Sequence, residues 1–170
     1  MLKKNNLKMR KFKLSDLDTV RDLIHKTIDI NYLPFYNAEA IKYFKDYHNI
    51  KNILKAAKEG YTVVLEKGNR IIGTATLIDN YITRVFVNPK FQKQGFGKLL
   101  MQKLETKALV AGTRLVKLDS SLPAKKFYDS LGYKTIRKTF VKVENGKKLD
   151  YYKMKKLLRT QKNGAIQNRF

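Results

Sequence analysis

"YITRVFVNPKFQKQGFGKLL", residues Tyr81 to Leu100, decides how the chain is read. Its first seven residues alternate as a strand with one face in a core does, and its last residues open a pattern at helical spacing. Between them stand Gly95 and Gly97, with Gln92, Lys93, Gln94 and Lys98 around them. A strand that passes into a helix at such a turn leaves the first helical amides without partners in the helix, and free amides at a helix N-terminus bind anions. Glycine can take a positive φ there, and its missing Cβ lets a phosphate oxygen reach the backbone. Two glycines can also do no more than shape a turn, but the donors and charge at Gln92, Lys93, Gln94 and Lys98 favour an anion site. A P-loop would need glycine at Gln92 and serine or threonine at Leu99, and a dinucleotide fingerprint would need a third glycine at Leu100. Both fail on residue identity.

Composition narrows the setting. With 170 residues and 43% hydrophobic content, the chain can bury one full core, so a single α/β domain over residues 1–158 is expected. Residues 159–170 show no periodicity and are expected to form a mobile tail. No cysteine is present, which excludes disulfides, thiolate zinc sites and a cysteine nucleophile. His25 and His48 are the two histidines and lack a carboxylate cluster, so no metal is expected. The basic N-terminus "MLKKNNLKMRKFKL" has no apolar run, and nowhere do enough apolar residues run together to span a bilayer. No membrane association is expected, and the default compartment is the cytoplasm. The formal net charge of +23 draws anions, including nucleic acid, by a non-specific field. Because the lysines are scattered along the chain, the plainer reading is a solvated lysine-rich surface.

Along the chain, "LKMRKFKLSD" reads as a strand, with Ser15 and Asp16 marking a helix start. Leu17, Val20, Ile24 and Ile28 recur at helical spacing. "YLPFYN" breaks that helix, Asn37 caps the next, and the stripe from Ile41 to Ala57 divides near His48 before Gly60 stops it. "YTVVLEKGNRIIGTATLIDNYITRVFV" reads as three antiparallel strands turning at "KGN" and "DN". After the glycine segment, Leu100, Leu104, Ala108 and Ala111 line one helical face, with Lys98, Gln102 and Glu105 toward the other. "RLVKLDSS" is a strand, "PAKKFYDSLG" a short helix beginning at Pro123, and the residues up to Leu158 a hairpin turning at "ENGK". Val85, Phe86, Leu100, Leu104, Val116, Phe127 and Leu131 should be buried.

Two segments carry a resemblance. "VNPKFQKQGFGKLL" is similar to the signature Q/R-x-x-G-x-G/A of the GCN5-related N-acetyltransferases, with Gln92, Gly95 and Gly97 in the three defined positions and Val87 and Pro89 in the usual lead-in. "SSLPAKKFYDSLGYK" resembles that family's last block, in which A-x-x-F-Y precedes L-G-F or L-G-Y; Ala124, Phe127, Tyr128, Leu131, Gly132 and Tyr133 fall in register. The resemblance implies a mixed α/β fold, a central, mostly antiparallel sheet of six or seven strands flanked by helices. It also implies direct transfer of an acetyl group from acetyl-CoA to an amine, without a covalent enzyme intermediate.

By the same resemblance, the amides of Gln94, Gly95, Phe96, Gly97 and Lys98 would hold the diphosphate, with Lys93 and Lys98 adding charge. Val85, Phe86 and Val87 would pair with the pantetheine arm as a further strand, and the Val87 amide would face the developing oxyanion. Tyr128 matches the general acid, since a phenol of ordinary pKa near 10 is protonated at neutral pH and within about two units of a thiol. Ser121 stands where many relatives carry asparagine beside the coenzyme arm. For the general base, Asp79, Asp119, His48 or a water relay are the candidates. The acceptor expected is a primary amine of a small molecule, with a protein N-terminus or lysine, or a nucleic-acid-binding role on the same fold, as alternatives. The long-range field of a cationic enzyme favours a neutral or acidic amine over polyamines and basic peptides. A monomer or homodimer would serve.

Overall fold

The computed structural model describes residues 6–159; of the expected tail, residues 160–170 lie outside the described part. The alternating segments form one seven-stranded sheet of β1 (Leu7–Lys11), β2 (Tyr61–Lys67), β3 (Arg70–Ile78), β4 (Tyr81–Val87), β5 (Leu115–Ser121), β6 (Lys134–Lys142) and β7 (Lys148–Leu157). Their spatial order is β1-β2-β3-β4-β5-β7-β6. Every neighbouring pair is antiparallel except β4 and β5, which run parallel. A parallel pair needs a crossover rather than a hairpin. Here the crossover is the helix that follows the two glycines, α4 (Phe96–Val110).

Strand alternation assigns the two faces of the sheet. Val63 and Leu65 of β2 pack with Leu100 and Leu104 of α4, while Val64 between them packs with Ile24 and Ile28 of α1 (Leu17–Asn31). Beside α1 lie α2 (Ala38–Tyr47) and α3 (Ile50–Glu59), which contribute Ile41 and Ile53 to the same cluster. The short α5 (Lys125–Ser130) lies on the α4 side, where Tyr128 joins the larger cluster. Ile24, Ile28, Leu100 and Leu104 are fully buried, and each such side chain contributes about 1.5–3 kcal/mol by leaving water.

Caps fix where the helices of the α1 face begin. Asn37 and Asn49 each accept a hydrogen bond at 2.8 Å, from Ala40 N and Asn52 N, contacts of about 1 kcal/mol apiece. The expected cap at Ser15 is not found. Ser15 lies inside a single 3-10 turn, Leu14–Asp16, and Asp16 does the anchoring instead. Its carboxylate accepts from Lys13 N at 2.7 Å and from Arg10 at 2.7 and 2.9 Å. The Arg10 guanidinium holds that carboxyl below the usual carboxylate range and ties β1 to β2 through Glu66 at 2.8 Å.

Two residues of α4 depart from the expected faces. Ala111 is exposed because the helix ends at Val110. Glu105 is tucked in rather than solvated, because the Tyr133 hydroxyl donates to it at 2.9 Å and Lys156 Nζ binds it at 2.9 Å. Of the residues expected in the core, Phe86, Leu100, Leu104 and Val116 are buried, whereas Val85, Phe127 and Leu131 are only half-buried. Val85 and Phe127 line a groove, and Leu131 sits at the C-terminal cap of α5.

Candidate active site

The parallel neighbours β4 and β5 pair only at Tyr81 with Lys117 and Ile82 with Leu118. Beyond that point a bulge bends β4: Thr83 faces Thr76 and Phe86 faces Thr74, so Arg84 and Val85 together oppose the single residue Ala75. Arg84 takes the left-handed conformation, φ 54°, that the extra residue requires. Meanwhile β5 stays with β7 as far as Ser121 opposite Tyr151. The two strands therefore part, and among the described residues no strand lies beside Val85–Val87 on the β5 side.

The open edge keeps a definite polarity. Asn88 N–H donates to Ile72 O on β3 at 2.8 Å, so strand alternation turns the N–H and C=O of Val87 toward the gap. Gln92 Nε2 donates to Val87 O at 2.9 Å, and Asn31 Nδ2 donates to Gln92 Oε1 at 2.8 Å. The signature glutamine is thus a brace between β4 and α1. Its amide, expected to add a donor around the anion, is engaged within the protein, and the Val87 N–H is left facing the gap.

A groove of about 470 Å³ runs from this gap to the start of α4, bordered by Val87, Lys93, Gly95, Gly97 and Phe127. Gly95 has φ 84° and stands at the N-cap of α4. Leu99 N–H is the first to bond back along the helix, to Gly95 O at 3.1 Å. The amides of Phe96, Gly97 and Lys98 thus have no partner in the helix. At Gly97 a Cβ would stand 3.0 Å from the Phe127 ring, so the small residue keeps that wall in place. Lys93 and Lys98 are exposed at the mouth. Gln94 reaches Lys90 O at 3.5 Å and does not line the groove, while the Phe96 ring packs on the core beneath Lys67 Nζ. At the inner end the Ser121 hydroxyl is buried, makes no well-formed hydrogen bond among the described residues, and has the Tyr32 phenol as its polar neighbour. Free amides at one end, an unpaired strand edge along the side and a buried hydroxyl beside Tyr32 at the other fit coenzyme A, whose diphosphate is anionic and whose arm carries amides.

A second cavity, of about 290 Å³, lies on the other side of the gap. Tyr32, Val85, Phe86, Ser121 and Ala124 border both spaces, so the cavities meet where the strands part. Tyr128 faces this second cavity; burial, with Tyr32 as a lesser cause, holds its phenol above the ordinary value of 10. Tyr32 is itself pushed up to about 12, chiefly by burial, with Ser121 pulling the other way. Tyr32, Tyr36 and Phe44 form an aromatic cluster, with ring centroids 4.8 to 5.7 Å apart. Tyr36 fixes the cluster to the sheet: its hydroxyl donates to Asp150 O at 2.9 Å and accepts from Leu122 N at 2.8 Å.

Of the three base candidates, His48 and Asp119 border this cavity and Asp79 does not. Asp79 is exposed in the β3–β4 turn with φ 52°, a conformation aspartate tolerates, and its place is structural. His48 is buried against Phe86 and pushed down to about 3, first by burial and then by the charge of Arg84. Tyr32 and Arg84 escaped the sequence reading. Arg84 had a signal: it falls at an alternate position of the strand, between Ile82 and Phe86, where the pattern calls for an apolar residue.

The chain matches the family model described as an acetyltransferase (GNAT) domain over residues 32–158. It is 20% identical over 148 residues to the uncharacterized N-acetyltransferase YafP of Escherichia coli (strain K12), across 87% of this chain and 95% of that protein. Its fold is similar to a GCN5-related N-acetyltransferase, termed aminotransferase class-II, from Rhodopseudomonas palustris, with TM-score 0.83, 20% identity and 93% and 99% of the two chains covered. It is also similar to the PaiA N-acetyltransferase of Thermoplasma acidophilum, solved in complex with coenzyme A, with TM-score 0.73, 17% identity and 89% and 99% covered.

Proposed function

The chain belongs to the GNAT acetyltransferase family, and on that premise we propose that it moves an acetyl group from acetyl-CoA to the primary amine of a small molecule. The observation that carries this reading is the meeting of two cavities at the parted strands β4 and β5. One has the free amides a diphosphate needs. The other is a small chamber bordered by aromatic side chains.

Acetyl-CoA supplies an activated acyl group with a good leaving group. The amides of Phe96, Gly97 and Lys98 hold the anionic end, with exposed Lys93 and Lys98 adding attraction that salt screens. Val87 N–H donates to the acetyl carbonyl oxygen as it gains negative charge, and the Gln92 brace keeps that strand edge in position. The Ser121 hydroxyl is placed to bond the pantetheine arm. Tyr128 stays protonated across the working range because burial raises its pKa. It stabilises the departing sulfur by donating a hydrogen bond, since full transfer from so weak an acid is uphill.

The roof of the second cavity favours a small acceptor over a polypeptide. The β6–β7 turn is fastened to α2 by Lys42 Nζ to Glu144 at 2.6 Å and Asn145 Nδ2 to Glu39 at 3.0 Å. Val141 and Leu149 of that hairpin border the chamber. A peptide would need an open trench there. With a pKa near 3, His48 is too weak a base to take a proton from an alkylammonium. The amine therefore enters neutral or loses its proton through water, with Asp119 orienting the ammonium at the rim.

The test is amine-dependent release of coenzyme A thiol from acetyl-CoA, alongside calorimetric titration of coenzyme A. Tyr128→Phe should lower turnover by about a hundredfold and leave coenzyme A affinity within about twofold. Failure to bind coenzyme A, or unchanged turnover in the variant, would contradict the reading.

A further inference from the structure

Resting on the acetyltransferase reading, we infer that the acceptor carries a carboxylate close to its amine and that Arg84 binds this carboxylate in the second cavity. Arg84 is 9% exposed and borders that chamber, not the coenzyme groove. The β4 bulge holds it at φ 54°, between Ile82, which packs on the α4 side of the sheet, and Phe86, which packs on the α1 side. Its Nε is buried with no hydrogen-bond partner, and no carboxylate among the described residues pairs with it. Asp119, the carboxylate that borders the same chamber, pairs with Lys153 Nζ at 3.4 Å instead. What covers Arg84 is the ring of Tyr47, 5.2 Å from the guanidinium carbon.

A guanidinium stays charged when buried and costs stability unless something compensates it. One aromatic face is a partial answer, since it leaves the in-plane donors unmet. The compensation expected is an anion that arrives with the ligand, and a planar carboxylate matches the fork of donors that arginine presents. The surroundings leave room for that charge: burial keeps His48 beside it neutral, the carboxylate of Asp119 at the chamber border is offset by Lys153, and the rest of the lining is aromatic, aliphatic or hydroxyl-bearing. With the thioester delivered at the parted strands, the amine points to the gap and the carboxylate to the bulge. The acceptor class is then a small amino acid, α, β or γ.

Common α-amino acids, β-alanine and 4-aminobutyrate, each beside its primary carboxamide, form the test panel, read by thiol release with acetyl-CoA. Carboxamides of α-amino acids have the less basic amine and so more free base, which makes them the better nucleophile supply if nothing reads the carboxylate. We expect the acid to exceed its carboxamide by about tenfold or more in kcat/KM, and Arg84→Gln to erase that preference. Arg84→Lys, which keeps the charge, should retain part of it. A merely structural arginine would change stability without changing the acid-to-amide ratio. The inference is overturned if coenzyme A binds yet no amino acid of the panel is acetylated, if acid and carboxamide react alike, or if the ratio survives Arg84→Gln. Absence of coenzyme A binding would instead overturn the acetyltransferase reading, and this inference with it.

Discussion

The two cavities that meet at the parted strands are built from different materials. The coenzyme groove is made largely of backbone: free amides at the start of α4, an unpaired edge on β4, and glycines where a Cβ would intrude or a left-handed turn is required. The acceptor chamber is made of side chains drawn from distant stretches, with Tyr47 and His48 from the α2 end, Arg84 from the bulge, Asp119 from β5 and Tyr128 from α5. Backbone-built sites constrain residue type at fixed spacing. Side-chain-built sites constrain only what the fold happens to bring together.

The sharpest way to break this contrast is to give the groove a side chain. Gly97→Val places branched carbon where the Phe127 ring stands 3.0 Å from an ideal Cβ, and drives that ring into the groove it borders. We expect coenzyme A affinity, read by calorimetry, to fall about a hundredfold, or about 2.7 kcal/mol. An affinity within about twofold of the parent would mean that the glycine serves only the turn.

A smaller effect should come from the acceptor side, through pH. His48 titrates near 6.5 when unfolded and is pushed down to about 3 in the fold, so between these values the unfolded chain binds the extra proton. Stability therefore falls as pH drops through that window and is restored as pH rises above 6.5. The groups that face the ring are Arg84, His25, Tyr47 and Phe86; only the first two carry or can gain positive charge, and both act in the same direction. In urea titrations, His48→Gln should lose stability less steeply than the parent over that range. Parallel curves would show that His48 is protonated as readily in the fold as outside it.

The same contrast explains what could be read from the letters. Alternation from Tyr61 to Val87 became three paired strands, and the helical stripe at Leu100, Leu104 and Ala108 became the buried face of α4. Asn37 and the break at His48 were legible because caps and breaks are local. Ser15 was misread because a 3-10 turn and the Arg10–Asp16 pair, which spans β1 and the helix start, override local preference. Glu105 was misplaced because its partners, Tyr133 and Lys156, lie far along the chain. In the groove, Gly95 and Gly97 were readable, whereas the use of Gln92 as a brace needed the position of Asn31. Arg84 was readable in principle, as a charge at an alternate apolar position of a strand, whereas the bulge that sends Ile82 and Phe86 to opposite faces was not. Tyr32 was not, because only folding brings the end of α1 to Ser121.

The central claim is that coenzyme A enters between β4 and β5 and presents its sulfur where both cavities meet. A crystal structure of the complex tests it most directly. The account predicts the diphosphate on the amides of Phe96 to Lys98, the arm along Val85–Val87, and the sulfur beside Tyr128. A coenzyme bound elsewhere, or a sulfur turned away from that phenol, would contradict it.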